Sequence, residues 1–242
     1  MGKDTCVCVF LKPPLAGKVK TRLIPTVGAE GAAALAESFF RDTWNCVEAL
    51  SWAVPIVACT GSLSPKILPQ PDTQVWLQGE GDLGARIERI LTRALTEARF
   101  AMALGADSPG IPSSLLEGAH EALRSADAVL GPCDDGGFYL LGVRRCPPGL
   151  LTGIPWSQST TFALTLDRLN RLGMKSTVLD PWYDVDGPED LDRLRSDVAR
   201  GAIAAPHTAR VLAGLRVVGT MQSTDPLNAI VLDSNRDGSR VK

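Results

Sequence analysis

The sequence predicts an α/β protein, with a mainly parallel sheet covered by helices on both faces. Short apolar runs typical of buried strands alternate with amphipathic segments typical of helices along most of the chain. One glycine pair, Gly136-Gly137, separates two strand candidates with no helix between them, which predicts a hairpin-like return and therefore a mixed sheet. Hydrophobic residues make up 45% of the 242 residues, enough to bury a substantial core.

The predicted elements alternate from the first strand, the apolar run Thr5–Leu11, to the last helix. Strands are predicted over residues 5–11, 55–59, 73–77, 100–106, 128–131, 137–143 and 175–179. Helices are predicted over about residues 28–49, 83–98, 112–125, 160–173 and 188–199. Hydroxyl side chains over residues 157–161 support the start of the fourth helix, and Asp186 is predicted to cap the fifth.

The chain has the length of one large domain. Its periodic pattern weakens after Ala204, and residues 228–242 are polar. We therefore predict one domain over residues 1–204 and an extension over residues 205–242 that is partly packed and flexible at its end.

Composition excludes several classes of partner. The formal net charge is −2 and the isoelectric point is about 5.7, so a general nucleic-acid surface is not expected. No apolar run approaches the ~18 residues that cross a bilayer, so no membrane partner is expected. The six cysteines form no C-x-x-C pair and the chain has two histidines, which argues against a zinc site. Free thiols and the lack of a signal-peptide pattern predict a cytoplasmic protein.

Basic side chains crowd the loop after the first strand. This loop contains Lys12, Gly17, Lys18, Lys20, Thr21 and Arg22. Open parallel sheets bind ligands outside the carboxyl ends of their strands, so these cations are placed to hold a di- or triphosphate, with flexible backbone at Gly17. The alternative is a solvated basic loop without a ligand.

A glycine-rich segment follows the third predicted strand. It contains Gly79, Gly81, Asp82, Leu83 and Gly84, which formally match the dinucleotide fingerprint G-x-G-x-x-G. Its place after the third strand argues against pyrophosphate binding, as do the carboxylates of Glu80 and Asp82. Two interpretations stay open: contact with a base or ribose, and a purely structural turn.

Carboxylates follow two other predicted strands. Asp107 comes directly after residues 100–106, and Asp184 and Asp186 alternate in an extended segment, so that both project from one side. Mg²⁺ in proteins is held by one or two carboxylates together with substrate phosphates. The three residues therefore predict a site for Mg²⁺ or Mn²⁺, the alternatives being a turn at Asp107 and a helix cap at Asp186.

Two further segments are candidates for an acceptor pocket. Their residues are Asp135, Gly136 and Gly137 in one segment, and Trp156, Ser157 and Thr160 in the other. The glycines let backbone approach a ligand closely, and the hydroxyls at a helix N-terminus could bind a carboxylate or phosphate. The alternatives are a turn and an ordinary cap. Neither histidine lies beside a plausible nucleophile, so a hydrolytic triad is not expected.

In this order, the basic loop, the glycine segment, Asp107, Asp135-Gly136-Gly137 and Asp184-Val185-Asp186 resemble a known family over about residues 5–200. It is the bacterial glycosyltransferase-like family of selenodomain-associated transferases. That family is itself similar to 2-phospho-lactate guanylyltransferase and molybdenum-cofactor guanylyltransferase. The resemblance implies a glycosyltransferase-A-type fold, a three-layer αβα sandwich that binds a nucleotide at its N-terminal half.

The resemblance also implies a role for each motif. Lys18, Lys20 and Arg22 would meet donor phosphates, and the glycine segment would lie near the base or ribose. Asp107, Asp184 and Asp186 would bind the metal, and Asp135-Gly136-Gly137 would line the acceptor or sugar pocket. Asp107 lacks the second aspartate of the D-x-D motif of many nucleotide-sugar glycosyltransferases.

These expectations lead to a metal-dependent transferase that uses a nucleotide or nucleotide-sugar donor and a small-molecule acceptor. The residues expected to act in the reaction are Lys20, Arg22 and Asp107. In one version the protein moves a sugar from a nucleotide-diphospho-sugar. In the other it moves a nucleoside monophosphate from a triphosphate to a phosphorylated or carboxylated acceptor and releases pyrophosphate. A non-catalytic nucleotide-binding module is the alternative from another class, and a Rossmann dehydrogenase is a third option.

Overall fold

A computed structural model describes residues 2–215 of the chain. The strands in this range are β1 (Thr5–Leu11), β2 (Ala53–Cys59), β3 (Val75–Leu77), β4 (Phe100–Gly105), β5 (Ala128–Pro132), β6 (Phe138–Val143) and β7 (Ser176–Val178). The helices are α1 (Ile24–Glu48), α2 (Leu83–Glu97), α3 (Ser113–Ala122), α4 (Thr161–Arg171), α5 (Pro188–Ala199) and α6 (Pro206–Gly214). A short 3-10 helix, Thr21–Leu23, precedes α1. The predicted strands and helices are confirmed to within a few residues, and α6 is an element that the sequence pattern did not reveal.

The strands of the described region form one mixed sheet in the order β3-β2-β1-β4-β6-β5-β7. Strand β6 runs antiparallel to both β4 and β5, and the other pairings are parallel. The direction reverses at the Gly136-Gly137 turn between β5 and β6, as predicted. The carboxyl ends of β1 and β4 are neighbours at the centre of the sheet, where their following loops meet.

Helices cover both faces of the sheet. On one face Val7 and Val9 of β1 belong to a buried cluster that includes Phe40 of α1 and Leu116 of α3. On the other face alternate residues of β1 pack in a cluster with side chains of α2 and α4. The result is the predicted three-layer αβα sandwich.

A third cluster joins α1 to the C-terminal helices. Phe39 of α1 packs with Leu191 of α5 and with Val211 of α6. The buried carboxylate of Asp42 accepts hydrogen bonds from the first backbone N–H groups of α6, at 3.0 and 2.8 Å. The division at residue 204 stays a prediction, and the end predicted to be flexible lies outside the described residues. None of the helices in residues 2–215 is long and apolar enough to span a membrane.

Candidate functional site

Lys20 lies at the centre of the site, in the loop between β1 and the 3-10 helix. Its backbone adopts the left-handed conformation, with φ at 44°. Its side chain is 5% exposed, and Nζ lies 2.9 Å from Asp107 Oδ2 and 2.7 Å from Asp186 Oδ1. Burial alone would lower the pKa of Lys20, but the two carboxylates outweigh it and the pKa is raised. Lys20 is therefore a charged lysine that ties the loop after β1 to two other segments.

The backbone brings these segments together before the side chains do. The N–H of Ala106 donates to the carbonyl of Phe10 at 3.2 Å, which places the end of β4 beside the end of β1. The N–H of Val185 donates to the carbonyl of Asp107 at 3.0 Å, which lays the segment of Asp184 and Asp186 across the end of β4. Three predicted motifs thus meet at one edge of the sheet.

A cavity of about 270 Å³ opens above the end of β1, and we call it the basic pocket. Its polar lining is Lys12, Lys18, Lys20, Thr21, Arg22, Asp107 and Asp186. The side chains of Lys12, Lys18 and Arg22 form no ion pair with any residue in the described range 2–215. The predicted phosphate-binding side chains therefore share one cavity with two predicted metal ligands. Gly17 has a positive φ of 75° and lies outside the lining.

A second cavity, of about 210 Å³, lies on the other side of Asp186, and we call it the acidic pocket. Its charged lining consists of Asp135, Asp184 and Asp186. Its walls are largely apolar and aromatic: Phe10, Leu83, Ile87, Phe138, Tyr139 and Trp156. Asp186 and Phe10 line both cavities, so the two pockets meet at these residues.

Asp184 is the carboxylate of the acidic pocket whose pKa its surroundings change most clearly. The pKa of Asp184 is raised to about 6, chiefly by burial and then by the charges of Asp186 and Asp135. Burial and the neighbouring Asp184 raise the pKa of the Cys133 thiol, which stays protonated at neutral pH. Ligand atoms of Cys133, Asp135 and Asp184 lie within 4.8 Å of one another.

The predicted metal ligands extend over both pockets: Asp107 lines the basic pocket, Asp184 the acidic pocket, and Asp186 lines both. Asp107 and Asp186 flank Lys20, while Asp184 belongs to the group with Cys133 and Asp135. The ion pairs with Lys20 use Oδ2 of Asp107 and Oδ1 of Asp186, which leaves the other oxygen of each available. The two side chains are 50% and 46% exposed, so both are open to the pocket. These hard, accessible oxygens fit Mg²⁺ or Mn²⁺.

One predicted role of Asp186 is wrong. Its side chain does not cap α5, because it is bound to Lys20. The carboxylate of Asp190 instead accepts from the N–H groups of Asp186 and Gly187, at 3.0 and 2.7 Å. The side chain of Asp186 thus binds Lys20, 166 residues away in the sequence, and not the N-terminus of α5.

The glycine segment has a mainly structural environment. Asp82 caps α2 by accepting from the N–H of Ala85 at 2.9 Å. Arg89 donates to the carbonyls of Gln78 and Glu80 and so fixes the turn around Gly79, whose φ is 76°. Of the segment's predicted nucleotide-binding residues, Leu83 lines the acidic pocket, and Gly79, Gly81, Asp82 and Gly84 line neither pocket. The observed contacts agree with the structural interpretation of this turn.

The predicted acceptor residues gather around the acidic pocket. Asp135, Gly137, Trp156 and Ser157 line it, whereas Gly136 and Thr160 do not. Gly136 packs so closely on the backbone of Ser159 that a Cβ there would overlap it, which joins the two predicted segments. Thr161, the residue after Thr160, lines the pocket instead, and its hydroxyl donates to the carbonyl of Pro155 at 2.6 Å.

Sequence reasoning missed several wall residues, notably Phe10, Cys133, Phe138 and Tyr139. Each lies in or beside a predicted strand and so has the pattern of an ordinary core residue. The feature that could have identified them is their position at strand ends: Phe10 is next to last in β1, and Phe138 begins β6. Residues at the carboxyl end of β1 and beside the Gly136-Gly137 turn were therefore the places to look.

Comparisons with known proteins agree with this architecture. A structure of a "putative nucleotide-diphospho-sugar transferase" from Desulfovibrio desulfuricans G20 superimposes with a TM-score of 0.80 at 29% identity, over 88% of this chain and 95% of that one. The chain has the nucleotide-diphospho-sugar transferase fold. A family model described as "Uncharacterized protein conserved in bacteria (DUF2064)" matches residues 45–158. No curated protein sequence matches the chain.

Two more distant structures share the fold. CMP:2-keto-3-deoxy-manno-octonic acid synthetase, solved in complex with CTP, has a TM-score of 0.54 at 12% identity, over 82% of this chain and 99% of that one. The 4-diphosphocytidyl-2C-methyl-D-erythritol synthase of Anaerococcus prevotii DSM 20548 has a TM-score of 0.50 at 12% identity, over 83% of this chain and all of that one. The similarity to guanylyltransferases stays a prediction.

Proposed function

We propose that this protein is a transferase that binds the phosphates of a nucleotide donor in the basic pocket and passes part of the donor to a small acceptor in the acidic pocket. The observation that carries the proposal is the junction of the two pockets at Asp186, beside the Lys20–Asp107 ion pair. A donor and an acceptor bound on either side of this junction would have their reacting groups next to each other.

The charges of the basic pocket suit the phosphates of a nucleotide donor. Lys12, Lys18 and Arg22 have no carboxylate partner within residues 2–215. Lys20 is occupied by Asp107 and Asp186, so its part is to orient these carboxylates and to offset their charge. Cations fixed before the reaction stabilise the negative charge that develops on a phosphate leaving group.

A divalent cation, Mg²⁺ or Mn²⁺, fits the same edge of the sheet. Asp107 and Asp186 would hold it through the oxygens that Lys20 leaves available, with Asp184 beside Asp186. When bound, the ion supplies further stabilisation of charge on the donor phosphates. The protein's own cations then hold the rest of the phosphate chain.

Two donor chemistries are consistent with this arrangement. With a nucleotide-diphospho-sugar, the acceptor attacks the anomeric carbon, the bond from that carbon to the phosphate oxygen breaks, and a nucleoside diphosphate leaves. With a nucleoside triphosphate, the acceptor attacks the α-phosphorus and pyrophosphate leaves. In both cases the acceptor loses a proton to a carboxylate of the acidic pocket or to water. The likeness to the Desulfovibrio protein supports the first chemistry. The concentration of positive charge from Lys12, Lys18 and Arg22 in the basic pocket supports the second.

Thermal unfolding with a panel of donors tests the proposal. UDP-glucose, GDP-mannose and the four common nucleoside triphosphates would be compared with and without Mg²⁺ or Mn²⁺. A ligand at ~100 times its Kd adds roughly 2.7 kcal/mol of stability, which raises the Tm of a protein of this size by ~5–10 °C. Lys18→Ala should remove this rise, and Lys175→Ala, an exposed lysine away from both pockets, should keep it. No rise with any donor would exclude the proposed function.

A further inference from the structure

The acidic pocket has an unbalanced charge. Within residues 2–215, its lining has three carboxylates, those of Asp135, Asp184 and Asp186, and no lysine, arginine or histidine. Two cations lie nearby, and each already pairs with a carboxylate. Lys20 is bound between Asp107 and Asp186, and Arg193 pairs with Asp134 at 2.7 Å while it stacks on Tyr183. The lining residues within the described part of the chain therefore carry a formal charge of −3, or −2 when Lys20 is counted against Asp186.

A bound metal ion does not reverse this charge. One divalent cation on Asp184 or Asp186 would change the formal charge of the lining from −3 to −1, or from −2 to 0 when Lys20 is counted, so it would not become positive. The basic pocket, by contrast, has four cations and two carboxylates, a formal charge of +2. The two neighbouring pockets thus have formal charges of opposite sign. A phosphate or carboxylate is attracted to the basic pocket and repelled by the acidic pocket.

The remaining surface of the acidic pocket suits an apolar body with hydroxyl groups. Phe138 and Trp156 pack edge to face, with ring centroids 6.0 Å apart, and together with Phe10 and Tyr139 they provide aromatic walls. The indole N–H of Trp156 is buried without a hydrogen-bond partner among the described residues. Ser157 and Gln158 also line the pocket, and their polar side chains can form hydrogen bonds with hydroxyl groups of a ligand.

From this charge and lining we infer that the acidic pocket binds an acceptor without phosphate or carboxylate groups, namely a neutral or positively charged hydroxyl or amino compound. The assignment of this pocket to the acceptor rests on the proposed function. A phosphorylated or carboxylated acceptor would bring a like charge against three carboxylates. Lys20 offsets only the charge of Asp186, and the lining contains no lysine, arginine or histidine among residues 2–215.

A series of probes that differ in charge tests the inference. The probes are 2-phenylethanol, 2-phenylethylamine and 3-phenylpropionate, which are neutral, cationic and anionic at pH 7.5 and share a phenylethyl group that fits the aromatic walls. Ligand-detected NMR on the full chain, without donor or metal, would give their Kd values. We expect 3-phenylpropionate to bind at least about tenfold more weakly than the other two.

A charge-removing variant locates the effect in the pocket. Asp135→Asn keeps the oxygen that accepts from the N–H of Gly137 at 2.8 Å, so the turn is retained. It should tighten 3-phenylpropionate and weaken 2-phenylethylamine, each by about threefold, and leave 2-phenylethanol unchanged. Asp72→Asn, an exposed position outside the pocket, should change none of the three.

The outcomes separate this inference from the proposed function. Equal or tighter binding of 3-phenylpropionate, or binding of none of the probes, would overturn the inference. An equal effect of Asp72→Asn and Asp135→Asn would overturn it as well. The probe experiment needs no donor, so it is independent of the Tm experiment. If the probes bind according to their charge but no donor raises the Tm, the charge selectivity of the pocket stands and the proposed function is excluded.

Discussion

Lys20 is the residue on which the geometry of the site depends most. Its left-handed backbone turns the chain so that a side chain from the loop after β1 enters between two carboxylates. Without the ammonium group, Asp107 and Asp186 would lie close together with no cation between them. A buried charge that loses its partner is costly, and partial exposure of both carboxylates reduces that cost here.

Replacement of this lysine tests its structural part. Lys20→Met should lower the free energy of unfolding by about 1–3 kcal/mol, because two carboxylates lose their common partner. Lys18→Met, at an exposed position of the same loop, should change it by less than about 0.5 kcal/mol. Urea unfolding of both variants would measure the difference. Equal stabilities would mean that the ion pairs contribute little.

The raised pKa of Asp184 makes stability depend on pH. Its pKa is about 6 in the folded protein and has an ordinary value of 3.8, so between these values the folded state binds more protons than the unfolded state. The free energy of unfolding therefore falls as pH rises from 4 to 6. Asp184→Asn stays uncharged and should be more stable than the parent by about 1–2 kcal/mol at pH 7.5, a gain that shrinks toward pH 4.

Urea unfolding in EDTA at several pH values would measure this gain. A variant less stable than the parent at pH 7.5 would show that the Asp184 carboxylate is not destabilised in the folded state.

At the scale of elements, two loops contribute to the wall of the acidic pocket, and each is held in place by its own contacts. The turn between β5 and β6 packs on the start of α4 through Gly136 and Ser159, and the carbonyl of Gly136 accepts from the N–H of Phe162 at 2.8 Å. The loop before α4 is held by Glu88 of α2, whose carboxylate accepts from the N–H groups of Gly149 and Leu151. The pocket walls are thus fixed before a ligand binds.

Two alanine variants separate close packing from backbone strain. Gly136 and Gly153 both have positive φ, 86° and 74°, but nothing lies within 4 Å of a Cβ at Gly153. Gly153→Ala should cost about 1 kcal/mol of stability from strain alone. Gly136→Ala should cost about 2–4 kcal/mol, because the backbone of Ser159 must also move. Equal losses in chemical unfolding would contradict the tight contact.

The elements themselves were predictable from local signals, since apolar runs and glycines identify the strands, the helices and the return at Gly136-Gly137. The details of the site were harder to predict from the sequence. The cap of α5 was assigned to Asp186, whose side chain is taken by a residue 166 positions away, and no local pattern contains that information. The separation of Asp184 from Asp107 likewise follows from tertiary packing, although both were correctly placed at strand ends. Helix α6 was missed because its docking depends on Asp42 of α1.

At the scale of the whole molecule, the carboxylate of Asp42 in α1 holds helix α6 against the rest of the described structure. Asp42 is 5% exposed and accepts from the N–H groups of His207 and Thr208. Asp42→Ala leaves both N–H groups without these acceptors and should cost about 2–3 kcal/mol. Glu48→Ala, at an exposed position of the same helix, should cost less than about 0.5 kcal/mol. Urea unfolding of the pair tests the docking, and equal values would argue against it.

At the scale of the whole molecule, two pockets of opposite formal charge meet at Asp186. Under the proposed function, donor phosphates would bind in the basic pocket and the acceptor in the acidic pocket. The most direct test is a crystal structure with Mn²⁺ and the donor that raises the Tm most. We expect donor phosphates within hydrogen-bond distance of Lys18 and Arg22, and an anomalous peak for Mn²⁺ at Asp107 and Asp186. Phosphates bound away from the basic pocket, or Mn²⁺ bound away from these carboxylates, would contradict this expectation.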